Sequence, residues 1–325
     1  MKKMLKLLTA LLLCMAMFGC SSSTEPSENV SEEKKVYKVG GVQLLQHDAL
    51  DAASQGFTDA LKDLLGDQVE ITIQNASGDY NSSATIANQF VSENVDLIMA
   101  NATPALQAVS AATATIPVVG VSISHYGTAL SIDPWTGKTG TNVTGVSDLA
   151  PLDQQADQIV EIFPEARKVA ILYCSSEANS EYQASVIEEE LHKKNIETQR
   201  FTFSDTNDIA AVTGSACDYA DVIYIPTDNT AATYTETINN VAIVAKTPIV
   251  AGEEGMAKGC GCVTITLSYY DIGYQAGQMA YEILVNGADP GEMEIQFAAE
   301  FTKKYNVDLC NFYEVNIPED YSPIQ

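Results

Sequence analysis

Four short polar stretches hold the residue types that could do chemistry. They are Gln43-Leu44-Leu45-Gln46-His47-Asp48, Asn101-Ala102-Thr103-Pro104, Cys174-Ser175-Ser176-Glu177-Ala178-Asn179-Ser180 and Pro226-Thr227-Asp228-Asn229-Thr230. Each follows an apolar run and precedes a segment of helical spacing, which makes it a strand-to-helix turn. Thr103, Ser176 and Thr227 fall where helices begin. Free backbone N–H groups and the positive end of the helix dipole at such points can receive a carboxylate. Glu177 and Asp228 are acceptors suited to an ammonium group. A site with both features fits a zwitterion such as an amino acid. The same residue types also have a plainer use, as helix N-caps worth about 0.5–2 kcal/mol each.

Bond-making chemistry finds little support. There is no Gly-x-Ser-x-Gly elbow, no Gly-x-x-x-x-Gly-Lys-Ser/Thr phosphate loop and no His-Glu-x-x-His. Neither an enzyme activity nor a cofactor is expected, although a cleft hydrolase built on Asp228 or Glu177 is the enzyme to test against. Gly252-Glu253-Glu254-Gly255 reads as a hinge turn rather than an acid/base pair. Trp135 is the only Trp available to stack on a sugar ring. Cys260-Gly-Cys262 has no second Cys/His pair beside it, and His47, His125 and His192 are scattered, so buried thiols are expected there and no metal. With 17 Lys+Arg against 43 Asp+Glu, the net charge of -26 opposes nucleic acid and anionic lipid as electrostatic partners.

The elements that must position these turns alternate. Strands are expected at 36–44, 69–74, 95–100 and 116–123, with helices at 49–65, 81–91 and from Thr103-Pro104. The pattern restarts with strands at 168–173, 196–203, 221–225 and 248–251, separated by helices at 177–194, 207–217 and 229–245. Such alternation makes βαβ units and a parallel sheet. Lys38-Val39-Gly40, Val95-Asp96-Leu97-Ile98 and Ile116-Pro117-Val118-Val119 recur in order as Lys168-Val169-Ala170, Ala220-Asp221-Val222-Ile223 and Thr247-Pro248-Ile249-Val250. Three matches at nearly one spacing point to a duplicated lobe. The expected fold is α/β: two similar doubly wound parallel-sheet lobes joined by a multi-strand hinge. Lobe 1 takes 36–146 plus 270–290, and lobe 2 takes 147–269 plus 291–325. In open parallel sheets ligands bind beyond the carboxyl ends of the strands, where the polar turns would meet.

Met1-Lys2-Lys3 opens a basic segment, the apolar run 7–18 follows, and Gly19-Cys20 precedes Ser21-Ser22-Ser23-Thr24. That apolar run is too short to span a bilayer and reads as a signal peptide over 1–19. The Gly19-Cys20 junction resembles the lipobox of bacterial lipoproteins, which implies acylation of Cys20. Residues 20–35, poor in large apolar side chains, form a flexible tether. The expected location is extracytoplasmic, with the chain lipid-anchored to the bacterial cell membrane.

A wider set of segments carries a family likeness. It comprises Gln46-His47-x-Ala49-Leu50-Asp51-Ala52, Gly56-Phe57, Asp96-Leu97-Ile98 with Ala102-Thr103-Pro104-Ala105, and Asn142-Val143-Thr144-Gly145-Val146-Ser147-Asp148. Leu172-Tyr173 with Ser176-Glu177-Ala178-Asn179-Ser180, Asp221-Val222-Ile223-Tyr224 with Pro226-Thr227-Asp228-Asn229-Thr230, and Tyr269-Tyr270-Asp271-Ile272-Gly273 complete it. These resemble the tryptophan/tyrosine-type substrate-binding lipoproteins of bacterial ABC importers, which have the type I periplasmic-binding-protein-like fold. The resemblance implies a clamp that closes on an amino acid, often aromatic, and delivers it to an ABC permease and its ATPase. It places Gln46, Thr103, Pro104, Ser176, Glu177, Asn179, Ser180, Asp228 and Asn229 in the cleft and Tyr269 near the last crossover. The family often has Thr-Asp-Pro where this chain has Ser124-His125-Tyr126. Ser124 and Tyr126 therefore join the candidate ligand-binding set, with Tyr126 either stacking on a ligand ring or packing at the hinge. A nucleoside, sugar or other small metabolite in the same clamp is the rival cargo.

Overall fold

The apolar runs between the polar turns form two sheets in the computed structural model, which describes residues 35–204 and 206–325. The expected signal peptide, Cys20 and nearly all of the tether lie outside the described residues. Lys35–Gln325 form one compact unit. Among the described residues no helix is long and apolar enough to cross a membrane.

Lobe 1 runs β1 (Tyr37–Gln43), α1 (Asp48–Leu65), β2 (Val69–Asn75), α2 (Tyr80–Ser92), β3 (Leu97–Asn101), α3 (Thr103–Ala112), β4 (Val118–Ile123), α4 (Tyr126–Leu130) and β5 (Val143–Ser147). Lobe 2 continues with α5 (Leu152–Ile162), β6 (Lys168–Cys174), α6 (Ala178–Lys193), β7 (Glu197–Phe203), α7 (Ile209–Tyr219), β8 (Val222–Ile225), α8 (Asn229–Thr233), α9 (Thr235–Ala245), β9 (Ile249–Ala251), α10 (Glu254–Gly259) and β10 (Val263–Thr266). The chain then returns through α11 (Tyr269–Asn286) and β11 (Gln296–Phe297) before ending in β12 (Thr302–Tyr305), α12 (Val307–Phe312) and β13 (Ser322–Pro323).

The first sheet has the order β11-β5-β4-β3-β1-β2 and is parallel throughout. The second has the order β13-β12-β10-β9-β8-β6-β7, parallel except where β12 meets β10. Every residue of β3, β4, β5, β8 and β9 is buried, as strands covered by helices on both faces must be. In lobe 1, Phe90 of α2 and Leu106 of α3 cover one face, while Phe57 of α1 and Ile272 of α11 cover the other. Lobe 2 repeats the arrangement, with Ile159 of α5 and Ile187 of α6 opposite Ala216 of α7 and Ile238 of α9.

Three details differ from the sequence pattern. Residues 290–297 stay with lobe 1, since Gly140 N–H donates to the Gly291 carbonyl and β11 pairs with β5. A two-residue strand has no periodicity to read, yet it covers an edge whose backbone groups would otherwise be unpaired. The expected helix 229–245 is two helices, broken at Tyr234. The expected hinge turn at Gly252–Gly255 instead starts α10, where the Glu253 carboxylate caps Gly255 and Met256 N–H.

Helices α1 and α11 meet backbone to backbone. A Cβ placed on Gly273 would sit 2.0 Å from the Ala53 carbonyl oxygen, and one on Gly56 would sit 2.1 Å from that of Tyr270. Gly273→Val must therefore push α11 off α1, an overpacking that costs about 1–3 kcal/mol or more. A melting temperature several degrees below wild type in a thermal denaturation scan is the expected outcome; an unchanged value would mean the contact is looser than drawn.

Candidate functional site

The loops after β1, β3 and β4 face those after β6 and β8, and the two lobes touch across the gap. His47 Nε2 lies 3.3 Å from Asn229 Oδ1, and Gln183 Nε2 donates to Ser124 Oγ at 3.1 Å. The His125 and Tyr182 rings stack with centroids 4.3 Å apart and planes 3° from parallel, and Trp135 meets the His125 ring edge-on. Burial lowers the pKa of both His47 and His125. This is a closed clamp.

The lobe 2 wall is built around two buried carboxylates. Glu177 Oε2 accepts Asn229 N–H (3.0 Å), Asn229 Nδ2 (2.7 Å) and Asn179 Nδ2 (3.2 Å), while Oε1 accepts Thr230 N–H and its hydroxyl, both at 2.8 Å. It thus ties the start of α6 to the start of α8. Asp228 Oδ1 caps α8 through Ala231 N–H at 2.7 Å, and Oδ2 accepts Cys174 N–H (2.7 Å) and Ser180 Oγ (2.8 Å). Burial, with the Glu177 charge beside it, pushes Asp228 up to about 7 against those three donors. Both carboxylates are held by their own lobe, so they shape the wall instead of waiting for an ammonium group. Asn179 donates to Glu177 and the Thr227 carbonyl, leaving its buried Oδ1 with no partner.

The lobe 1 wall is different. Asp148 follows β5 where the chain first crosses between the lobes, and it is 4% exposed. Among the described residues its side-chain partners are two hydroxyls, Ser124 Oγ at 2.9 Å on Oδ1 and Tyr269 OH at 3.1 Å on Oδ2. No cation among the described residues pairs with it. Burial raises its pKa from the ordinary 3.8 to about 6. A carboxylate can accept about four hydrogen bonds, so this one keeps spare capacity for a ligand donor.

Opposite in chemistry is the start of α3. Ala102, its N-cap, has φ 87° and ψ 153°, a conformation suited to glycine, and offers no side-chain cap. Backbone strain of this kind costs of order 1–3 kcal/mol and persists where the surroundings impose it. The first turn of α3 begins at buried Thr103 and carries the positive end of the helix dipole.

The structure thus gathers Thr103, Ser124, Glu177, Asn179, Ser180, Asp228, Asn229 and Tyr269 as buried groups at facing loops. Gln46 and Ser176 lie exposed on the rim, and Pro104 is half-buried in the first turn of α3. Tyr126 lies inside the lobe 1 core with its hydroxyl on the Val146 carbonyl, because Gly120 and Gly145 leave room for it. Sequence reasoning did not assign Asp148, His47, Tyr182 or Gln183 to the site. A lone Asp after a buried strand at the lobe boundary was the available signal for the first; the last two sit mid-helix with no local signature. A cavity of about 640 Å³ opens beside the crossings, between Asp48 of α1 and Glu254 of α10, with Tyr269 among its lining residues.

Residues 38–322 match the family model described as ABC transporter substrate binding protein. A tyrosine-binding protein of Clostridioides difficile is 33% identical over 305 residues, covering 90% of this chain and 87% of that one. Among solved structures, an ABC domain from Streptococcus pneumoniae in complex with L-Trp is 29% identical, with a TM-score of 0.85 and coverage of 90% of this chain and 100% of that one. A ligand-free, open substrate binding protein with adhesive properties from Clostridium difficile is 30% identical, covering 89% and 99%, with a TM-score of only 0.69. Equal identity with unequal superposition agrees with the closed contacts described above.

A raised carboxylate pKa means the neutral form is favoured by folding. Its stabilisation is complete below the unfolded value near 4 and is lost as pH rises through about 6. Asp148→Asn removes that charge, and two pKa units correspond to about 3 kcal/mol. The variant should therefore melt several degrees above wild type at pH 7.5 without ligand and match it at pH 4. Equal melting at both pH values would show that Asp148 is already compensated.

Proposed function

We propose, from the premise that this chain belongs to the ABC transporter substrate binding protein family, that it captures an aromatic amino acid outside the cytoplasm and presents it to an importer. Members of this family are substrate-binding proteins and not enzymes. The observation that carries the amino-acid reading is Asp148, a buried carboxylate without a cation at the meeting of the lobes. An α-ammonium group would supply the missing charge, and the unpartnered Asn179 Oδ1 is a further acceptor for it. The ligand carboxylate belongs at the uncapped start of α3 near Thr103. Tyrosine and tryptophan as the ligands of the relatives support an aromatic side chain.

In this reading Gln46 and Ser176 border the entrance, Ser124 and Tyr269 hold Asp148, and Glu177, Asn179, Ser180, Asp228 and Asn229 form the rigid far wall. The ligand stabilises the closed clamp only through contacts that the open form lacks. A permease and its ATPase would then accept the ligand from the closed form. The signal segment and acylated Cys20 would keep the chain at the outer face of the membrane, since multiple acyl chains anchor stably at ~0.8 kcal/mol per buried CH₂.

Calorimetry at pH 7.5 against amino acids, nucleosides and sugars tests the cargo. Heat is expected from aromatic amino acids, and Asp148→Asn should weaken their binding at least ~30-fold, the loss typical when one member of a buried charge pair is removed. Binding of a nucleoside or sugar with silence from every amino acid would overturn the reading. The ligand ammonium lowers the Asp148 pKa below its free value of about 6, so affinity should be level above pH 7 and fall as pH drops below about 6. For the anchor, metabolic labelling with a fatty acid should mark the wild type and leave Cys20→Ala unmarked; equal labelling would place the lipid elsewhere.

A further inference from the structure

Cys262 leads into β10, and its carbonyl accepts two groups from the C-terminal segment, Asn306 N–H at 2.8 Å and the Cys310 thiol at 3.3 Å. Both are free thiols in the structure, and both side chains are buried in the same lobe 2 core cluster. Rigid elements hold this meeting from both sides. Asn306 caps α12 by accepting Asp308 and Leu309 N–H at 3.1 Å, and its Nδ2 reaches the Ala257 and Lys258 carbonyls on α10. Cys310 follows one turn later, its N–H on the Asn306 carbonyl at 2.9 Å. Strand and helix thus bring the two cysteines together, the Cys310 thiol against the Cys262 backbone. Among the described residues no group of three or more Cys, His, Asp or Glu could hold a metal, so a metal does not explain the pair.

We infer that Cys262 and Cys310 are joined by a disulfide in the protein outside the cytoplasm, tying α12 to the second sheet. The compartment in this statement rests on the proposed function; the geometry does not. The oxidant is a disulfide carrier, either oxidised glutathione or a thiol oxidoreductase. Cys310 thiolate attacks one sulfur of the carrier and expels the other as a thiolate. Cys262 thiolate then attacks the mixed disulfide at Cys310, forming the Cys262–Cys310 bond. The carrier leaves as two thiols, having taken up the two electrons and two protons that the cysteines lose. The neighbouring Cys262 thiol lowers the Cys310 pKa, while Cys310 and burial raise that of Cys262, which makes Cys310 the first nucleophile.

The pair takes two of the five cysteines after Cys20 and leaves three. Cys174 contacts the Ser176 hydroxyl at 3.0 Å, Cys217 is half-buried on α7, and Cys260 lies buried behind α10. These three remain thiols. The bond closes a loop between residues 48 positions apart, restricting the unfolded chain. It would also fix the tail to lobe 2 while the last crossing between the lobes flexes.

The full chain, equilibrated in a buffer of oxidised and reduced glutathione, is denatured in iodoacetamide, digested and read by mass spectrometry. Peptides linked through 262 and 310 are expected, with Cys174, Cys217 and Cys260 alkylated. Alkylation of all five cysteines, or a link between any other pair, overturns the inference. A second reading compares melting with and without dithiothreitol: the reductant should lower the midpoint of wild type by several degrees and leave Cys310→Ser unmoved, and an equal drop in both would also overturn it. Calorimetry on the same samples judges the amino-acid reading separately, because neither cysteine is among the groups at the facing loops.

Discussion

Removing a carboxylate from water costs several kcal/mol unless hydrogen bonds or a counter-charge replace the lost solvent. Four buried acids of this chain cluster where the lobes face each other or at the hinge, and each meets that cost differently. Glu177 is surrounded by five donors from its own lobe. Glu253 spends both oxygens on a helix start, and Asp228 spends one there and the other on Cys174 N–H and the Ser180 hydroxyl; at a helix start the dipole also favours the negative charge. Asp148 has two hydroxyls and no helix start. Burial pushes Asp228 and Glu253 up as well, to about 7, but Asp148 is the one of the four that holds no helix start, and a ligand cation would find its leverage there.

Asp148 is placed where it can act on the hinge. Ser124, which donates to Asp148, also receives Gln183 from the opposite lobe. Tyr269, the other donor, begins the helix that carries the chain back to lobe 1. A cation settling on Asp148, as proposed, would order two groups whose positions depend on the lobes being together. The stacked His125 and Tyr182 rings and the His47–Asn229 contact add area to the closed form without touching Asp148. None of these cross-lobe contacts is strong alone; an aromatic pair contributes about 0.5–1.5 kcal/mol beyond its buried area.

The architecture was legible because it follows from periodicity. Continuous apolar strands such as Leu97–Asn101 and Val118–Ile123 announce a sheet covered on both faces, and their recurrence in the second half announces two lobes. The facing turns followed from topology, since parallel strands all deliver their carboxyl ends to one edge. What the residues do there was less legible. Glu177 and Asp228 look like ligand acceptors in a string of letters, but their partners are backbone N–H groups brought close only by folding, such as Cys174 N–H 54 residues from Asp228. Tyr126 sits beside a polar turn, yet two glycines on neighbouring strands open a space that draws its ring inward. Tyr182 and Gln183 meet lobe 1 only because α6 is turned that way, a fact no local pattern encodes.

The hinge has to bend without loosening the lobes it joins, and α1 with α11 shows how these demands are separated. The two helices touch through Gly56 and Gly273 so closely that no side chain fits between their backbones there. That contact makes α11 a rigid part of lobe 1 although its first residue, Tyr269, reaches the cleft. Flexing is left to the short links at residues 148–151, 267–268 and 298–301, where no regular element is formed. In the proposed function, ligand charge at Asp148 and Tyr269 would be transmitted to whole lobes instead of being absorbed by local give, which is how a single ammonium group could bias a motion of two domains.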